Sequence, residues 1–205
     1  MNDIWAIVLA AGLSTRMGTQ KLLLPFEGKT IIEKVVENIL GAGIDRIKVI
    51  LGSDRDEISE ALKLMPVDFV MNENYQEGMH TSVISGVKAL PLNAGAVLIF
   101  LGDQPFIPFN VTQQVVDAWK TDGKGIVIPL FEGRRAHPPL YDLKYRNELS
   151  NLDPAEGLRS VAKNFPWDIC EVETSCPQIV RDIDTKNDYL NELNKTYTHG
   201  SKNSI

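Results

Sequence analysis

Ile4-Trp5-Ala6-Ile7-Val8-Leu9, running on into Ala10-Ala11-Gly12, is the stretch whose reading decides the fold. A short apolar run without polar alternation is a strand covered on both faces, the habit of a parallel sheet. A loop rich in Gly, Ser and Thr follows, from Gly12 to Gln20. Thr30-Ile31-Ile32-Glu33 then fits a capping box, in which Thr30 and Glu33 satisfy backbone N–H groups left free at a helix start. Ile31, Ile32, Val35, Val36, Ile39 and Leu40 make the inward stripe of that helix, and Gly41 or Gly43 can end it.

The same rhythm recurs down the chain. The patterning predicts strands at 46–51, 67–71, 96–101 and 125–130, and helices at 54–64, at 80–90 and from Asn110 onward. Ala96 to Leu101 is the most apolar of these strands and is expected at the centre of the sheet. Strands alternating with helices build a three-layer α/β/α domain. After Glu132 the rhythm changes. Pro138-Pro139-Leu140-Tyr141 reads as a strand entered through prolines, hence at a bulge or an edge. Short helices are expected at 143–149 and 155–163, strands at 167–172 and 178–183, and a last helix at 186–193. Residues 1–193 read as one domain and residues 194–205 as a flexible tail.

The totals agree with this picture. A chain of 205 residues, 43% hydrophobic and 23% charged, suits a folded domain of ordinary size rather than a disordered or collagen-like one. The net charge of −6 disfavours a double-stranded nucleic-acid binder. Cys170 and Cys176 lack the spacing of a metal site and read as reduced thiols. No apolar run reaches the ~20 residues of a membrane span. With no leader ahead of the first strand, the expected location is the cytoplasm, without membrane attachment.

Ligands of open parallel sheets bind at the carboxyl ends of the strands, so the first loop bears on function. Its small residues let backbone N–H groups approach an anion. Arg16 and Lys21 add two cations, suited to a triphosphate and its developing charge. A dinucleotide fingerprint needs Gly-x-Gly-x-x-Gly, and here only Gly12 and Gly18 are present. A P-loop needs four residues between its glycines and Lys-Ser/Thr directly after; here five intervene and Lys21 comes three after Gly18. At the other strand end, Leu101-Gly102-Asp103-Gln104-Pro105 aims an Asp at the same crevice. Asp103 reads either as a Mg²⁺ ligand or as a turn Asp before Pro. Arg134 and Arg135 read either as ligands of an acceptor phosphate or as exposed hairpin arginines.

Leu9, Gly12, Ser14, Arg16, Met17, Gly18 and Lys21 match Leu-x-x-Gly-x-Ser-x-Arg-Met-Gly-x-x-Lys, and by this the chain resembles the MobA-like nucleotidyltransferases. The likeness extends from about Ile4 to Tyr189. Leu-Ala-Ala-Gly at Leu9, Ala10, Ala11 and Gly12 is similar to the molybdenum cofactor cytidylyltransferase branch, where guanylyl-transferring relatives carry Leu-Ala-Gly-Gly. The resemblance implies a Rossmann-like fold of the nucleotide-diphospho-sugar transferase type with a mostly parallel mixed sheet. It implies transfer of CMP from CTP to a phosphorylated acceptor, molybdopterin or the molybdenum cofactor, with pyrophosphate released. Mg²⁺, with Mn²⁺ as a substitute, is the implied cofactor, and a molybdoenzyme or its maturation chaperone an implied partner.

Carried over residue by residue, the resemblance makes Arg16, Lys21 and Asp103 catalytic. Leu9, Ala10, Ala11, Gly12, Ser14, Arg16, Gly18, Lys21, Ser82 and Asp103 then bind the nucleotide; Ser82 comes from a Gly-x-x-x-Ser match at Gly78. Asp103 and Asp184 hold the metal, Asp184 by likeness to the Asp-Ile-Asp-Thr segment of the family. His137, in a His-Pro match, and Arg135 face the acceptor. The chain departs from the family at Ala136, where Gly is usual, at Pro139, and across Asp153 to Arg159, where no role is carried over. Alternatives are a sugar phosphate or another small phosphorylated acceptor, and a non-catalytic nucleotide-binding maturation protein.

Overall fold

Among the described residues, eight strands form one sheet, with helices on both faces. The computed structural model describes residues 3–12, 20–183 and 185–192. Ser14, Arg16, Met17, Gly18, Asp184 and the tail at 194–205 lie outside the described residues. In chain order come β1 (Ile4–Ala10), a small hairpin of β2 (Pro25–Phe26) and β3 (Lys29–Thr30), α1 (Ile31–Gly41), β4 (Ile47–Leu51), α2 (Arg55–Ala61), β5 (Asp68–Met71), α3 (Met79–Lys88), β6 (Ala96–Leu101) and α4 (Phe109–Asp122). Then follow β7 (Ile126–Phe131), β8 (Arg134–Arg135), β9 (Leu140–Asp142), α5 (Arg146–Leu149), α6 (Leu158–Asn164) and β10 (Ile169–Glu173). A final helical segment covers 186–192.

The strand order is β10-β7-β9-β6-β1-β4-β5, with β8 on β7. All neighbours from β6 to β5 are parallel, as is the β7–β10 pair; β9 runs antiparallel to both β6 and β7. The expected mostly parallel mixed sheet is therefore present, and β6 stands fourth of the seven on the path. Alternation along β1 divides its side chains between the layers. Ala6, Val8 and Ala10 face the cluster built with α1 and α4; Ile7 faces the one built with α3 and α6. Ala6, Ile7 and Val8 are fully buried, which explains why β1 shows no polar alternation. Burying Ile7 or Val8 contributes about 1.5–3 kcal/mol each. The capping box forms as read: Thr30 Oγ1 accepts from Glu33 N, and the Glu33 carboxylate accepts from Thr30 N.

Three expectations are corrected. The segment entered through Pro138 and Pro139 is not at an edge, because β9 lies inside the sheet. Proline lacks a donor but keeps its carbonyl, and Pro139 O accepts from Ile99 N at 3.0 Å, so the ladder starts before the strand proper. Residues 178–183 are not a strand: Pro177–Val180 is a 3₁₀ turn, with Pro177 fixing the φ that starts it. Pro166–Asp168 likewise turns once before β10 begins, later than the expected start at Trp167. The β2–β3 hairpin and β8 are too short to give a period and were missed.

Candidate functional site

The carboxyl ends of β1 and β6 lie side by side. Gly102 N donates to Leu9 O at 3.0 Å, and a Cβ at Gly102 would stand 2.9 Å from that same oxygen. Only glycine lets the two strand ends close so tightly, and this closure brings Asp103 beside the Ala10–Gly12 segment. Gly52, after β4, does the same on the other flank. A Cβ there would meet Ala11 O at 2.7 Å and the Tyr75 ring at 3.0 Å. From behind, α1 secures the acidic turn, with Asn38 Nδ2 donating to Pro105 O at 2.8 Å.

Lys21 opens a 3₁₀ turn, Lys21–Leu23, capped by Gln20, whose Oε1 accepts from Leu22 N. The other end of that amide donates to Asp54 Oδ2 at 2.5 Å, fixing where the loop comes to rest. Lys21 Nζ then donates to Asp103 Oδ2 at 2.5 Å and to Ile183 O at 3.0 Å. The pair is partly buried, with side-chain exposures of 16% and 19%. One residue along each chain, Gln104 Nε2 donates to Asp182 Oδ1 at 2.5 Å. Gln104 is 4% exposed, and its Oε1 has no partner among the described residues. Segments 103–104 and 182–183 are thus joined by two neighbouring rungs: Lys21 on one, Gln104 on the other.

The second rung borders a cavity of about 390 Å³, in the range of small-molecule sites. Its lining includes Gln104, Arg134, His137, Tyr141, Arg159 and Asp182. His137 Nδ1 lies 3.1 Å from Ile99 O. A carbonyl can only accept, so Nδ1 carries the proton and the neutral ring keeps Nε2 as an acceptor. Burial pushes the His137 pKa below its ordinary value, opposed by the Ile99 hydrogen bond and the charges of Asp182 and Asp103. Arg135 Nη2 is 2.7 Å from Glu171 Oε1, across to β10. Arg134, its neighbour on β8, makes no such pair among the described residues.

Ser82 lies on α3, beside the end of β5. It is 4% exposed, and its Oγ accepts from Asn72 Nδ2 at 2.9 Å, in a network with Thr81 that ties α3 to the end of β5. Its hydroxyl is thereby engaged inside the fold. Among the described residues no group of three His, Cys, Asp or Glu side chains could hold a metal ion. The described donor fit for a hard cation is the Asp103 carboxylate, a single oxygen ligand of the kind Mg²⁺ takes alongside phosphates.

Residues 6–169 match the profile of the MobA-like NTP transferase domain, four-fifths of the chain. The chain belongs to the MobA-like NTP transferase family. It is 28% identical over 191 residues to the molybdenum cofactor cytidylyltransferase of Escherichia coli K12, covering 93% of this chain and 95% of that protein. It is 25% identical over 195 residues to the nicotine blue oxidoreductase of Paenarthrobacter nicotinovorans, covering 89% and 92%. A solved nucleotidyl transferase from Methanothermobacter superposes with a TM-score of 0.82 at 26% identity, covering 97% of this chain and all of that one. The family is one of nucleotidyltransferases, and the fold is theirs. No helix among the described residues is long and apolar enough to cross a membrane.

Gln20, Gly52, Gln104 and Asp54 escaped the reading of the sequence. Each acts through tertiary contact, and none has a local signal; Gln104 lies in the turn after the central strand, but nothing in that turn announces its bond to Asp182.

Proposed function

We propose that this protein transfers CMP from CTP to the phosphate of a pterin-type acceptor, the molybdenum cofactor, releasing pyrophosphate. The observation that carries the reading is the paired rung: Lys21 on Asp103, and one residue away Gln104 on Asp182 at the cavity. It sets a cation and a carboxylate suited to a nucleoside triphosphate directly beside a site large enough for a second substrate. The Leu-Ala-Ala-Gly run at Leu9 to Gly12 supports a cytidylyl donor. The oxidoreductase relative shares the length but not a reason to assign its reaction, since the first loop lacks the Gly-x-Gly-x-x-Gly of a dinucleotide site.

In this mechanism an acceptor phosphate oxygen attacks the α-phosphorus of CTP. The new P–O bond forms as the bond to the β-phosphate oxygen breaks, and pyrophosphate leaves. Lys21 exchanges its contact with Asp103 for the triphosphate and neutralises charge that builds on it. Arg16 joins it from the same loop. Asp103, with Asp184, would hold Mg²⁺, which supplies Lewis-acid stabilisation of the phosphates when bound. An acceptor phosphate monoester is already ionised near neutral pH, so no side chain has to remove a proton. Neutral His137 orients the acceptor by hydrogen bonding rather than acting as a base. Positioning and electrostatics carry the rate, as in other phosphoryl transfers.

The test is pyrophosphate release with CTP, GTP, UTP or ATP against the molybdenum cofactor and a panel of sugar phosphates, with Mg²⁺ or Mn²⁺. CTP with the molybdenum cofactor should turn over fastest. Turnover only with sugar phosphates, or with no pairing, would overturn the reading.

A further inference from the structure

We infer that Arg134 and Arg159 form a two-cation clamp for the phosphate monoester of the acceptor, separate from the cations that hold the nucleotide. The inference rests on the cavity being the acceptor site. Among the described arginines, Arg46, Arg55, Arg135 and Arg181 are each within ion-pair distance of a carboxylate. Arg146 donates to the carbonyls of Val87, Leu90 and Pro91. Arg134 and Arg159 stand apart. Neither side chain has a hydrogen-bond or ion-pair partner among the described residues, although the protein carries a surplus of carboxylates. Both are exposed, and both line the same cavity.

Their backbones are held by unrelated elements. Arg134 is fixed by the tight hairpin in which it pairs with Phe131, through Glu132 and Gly133 at φ 50° and 71°. Arg159 sits in the first turn of α6, behind Gly157 at φ 56°. Two guanidinium groups brought to one cavity from separate segments match a dianion with several acceptor oxygens, the chemistry of a phosphate monoester. The rest of the lining does not compete for that role. Arg135 is held by Glu171, His137 is neutral, and Gln104 with Asp182 repels an anion and favours a donor-bearing part of the ligand. Leu101, Ile128 and Ile179 add an apolar wall against which a ring can lie. The acceptor's phosphate is therefore gripped by the two arginines, with its ring against the apolar wall.

The experiment measures equilibrium binding to the full chain of two probe pairs: 6-hydroxymethylpterin phosphate against 6-hydroxymethylpterin, and glucosamine 1-phosphate against glucosamine. Wild type should bind at least one phosphate ester about tenfold or more tightly than its alcohol, the worth of a charge-assisted contact. Arg134→Ala and Arg159→Ala should each remove most of that preference, and Arg159→Lys should restore part of it. CTP affinity should stay the same in all three, which also shows that they fold. Lys21→Ala should leave the phosphate preference intact. A preference seen only with the sugar pair and lost in Arg159→Ala sustains the clamp while overturning the pterin acceptor. No preference in either pair, or a preference that survives both alanine variants, overturns the clamp.

Discussion

The two sides of β6 solve the same task in different ways. On the β1 side every strand is parallel, and the site is made where strand ends close on one another through Gly52 and Gly102. Its described cation, Lys21, is already matched to a carboxylate. On the β9 side an antiparallel strand intervenes, the lining includes a hairpin and a short helix, and two arginines stand without carboxylate partners among the described residues. The first side is compact and self-neutralised, as suits a ligand that brings its own triphosphate and metal. The second is open and cationic, as suits a ligand whose shape differs from one relative to the next. What they teach is that one sheet can carry a self-neutralised strand-end site beside an open cavity with arginines in its lining.

The strongest way to break that contrast is at the shared rung. Lys21→Ala or Asp103→Ala should lower kcat/KM for pyrophosphate release about a thousandfold or more with every acceptor, read in steady-state assays. Thermal midpoints should move little. If either loss appeared with one acceptor and not another, the division between donor and acceptor sides would fail. Next comes Gly52→Ala, which drives a methyl against Ala11 O and should cost about 1–3 kcal/mol in urea unfolding, with weaker CTP binding and unchanged binding of acceptor phosphate.

A third test lies in pH. Because burial holds the His137 pKa below its ordinary 6.5, the unfolded chain binds a proton there that the folded chain refuses. Stability contributed by this group is present above that ordinary value and is lost as pH falls below it. Melting temperature should therefore drop by a few degrees between about pH 7.5 and pH 5.5, and His137→Gln should flatten the dependence. An unchanged slope in the variant would remove His137 from the account. The smallest effect is expected at Arg135→Ala. Its guanidinium belongs to Glu171, so KM for the acceptor should rise less than about threefold. A larger rise would move the clamp from Arg134 to Arg135.

Legibility in the sequence followed the same divide. β1, α1 and β6 could be read because their signals are local: an apolar run, a capping box, an apolar run. Lys21 and Asp103 could be read because each lies in a motif at a strand end, although their 2.5 Å contact spans 82 residues of sequence and no pattern announces it. The acceptor side was less readable. Pro138 and Pro139 suggested an edge because proline lacks a donor, while what mattered was the carbonyl it keeps. Ser82 matched a motif, while the Asn72 amide that donates to it lies ten residues away and no pattern announces that contact. Arg159 lay in a segment that departs from the family, so pattern could not point to it, and its significance comes from the company it lacks.

The position of β9 also dictates an order of assembly. β5, β4, β1 and β6 can pair as soon as residues 4–101 are available, since each neighbour is already made. β7 touches that half-sheet only through β9, which lies beyond it in the chain. During synthesis β7 pairs first with β8, and it joins the half-sheet only when Leu140 to Asp142 emerge to bridge it to β6. The half-sheet of β5, β4, β1 and β6 is thus available for pairing early, and β7 is joined to it later by a strand of three residues, before β10 completes the far edge.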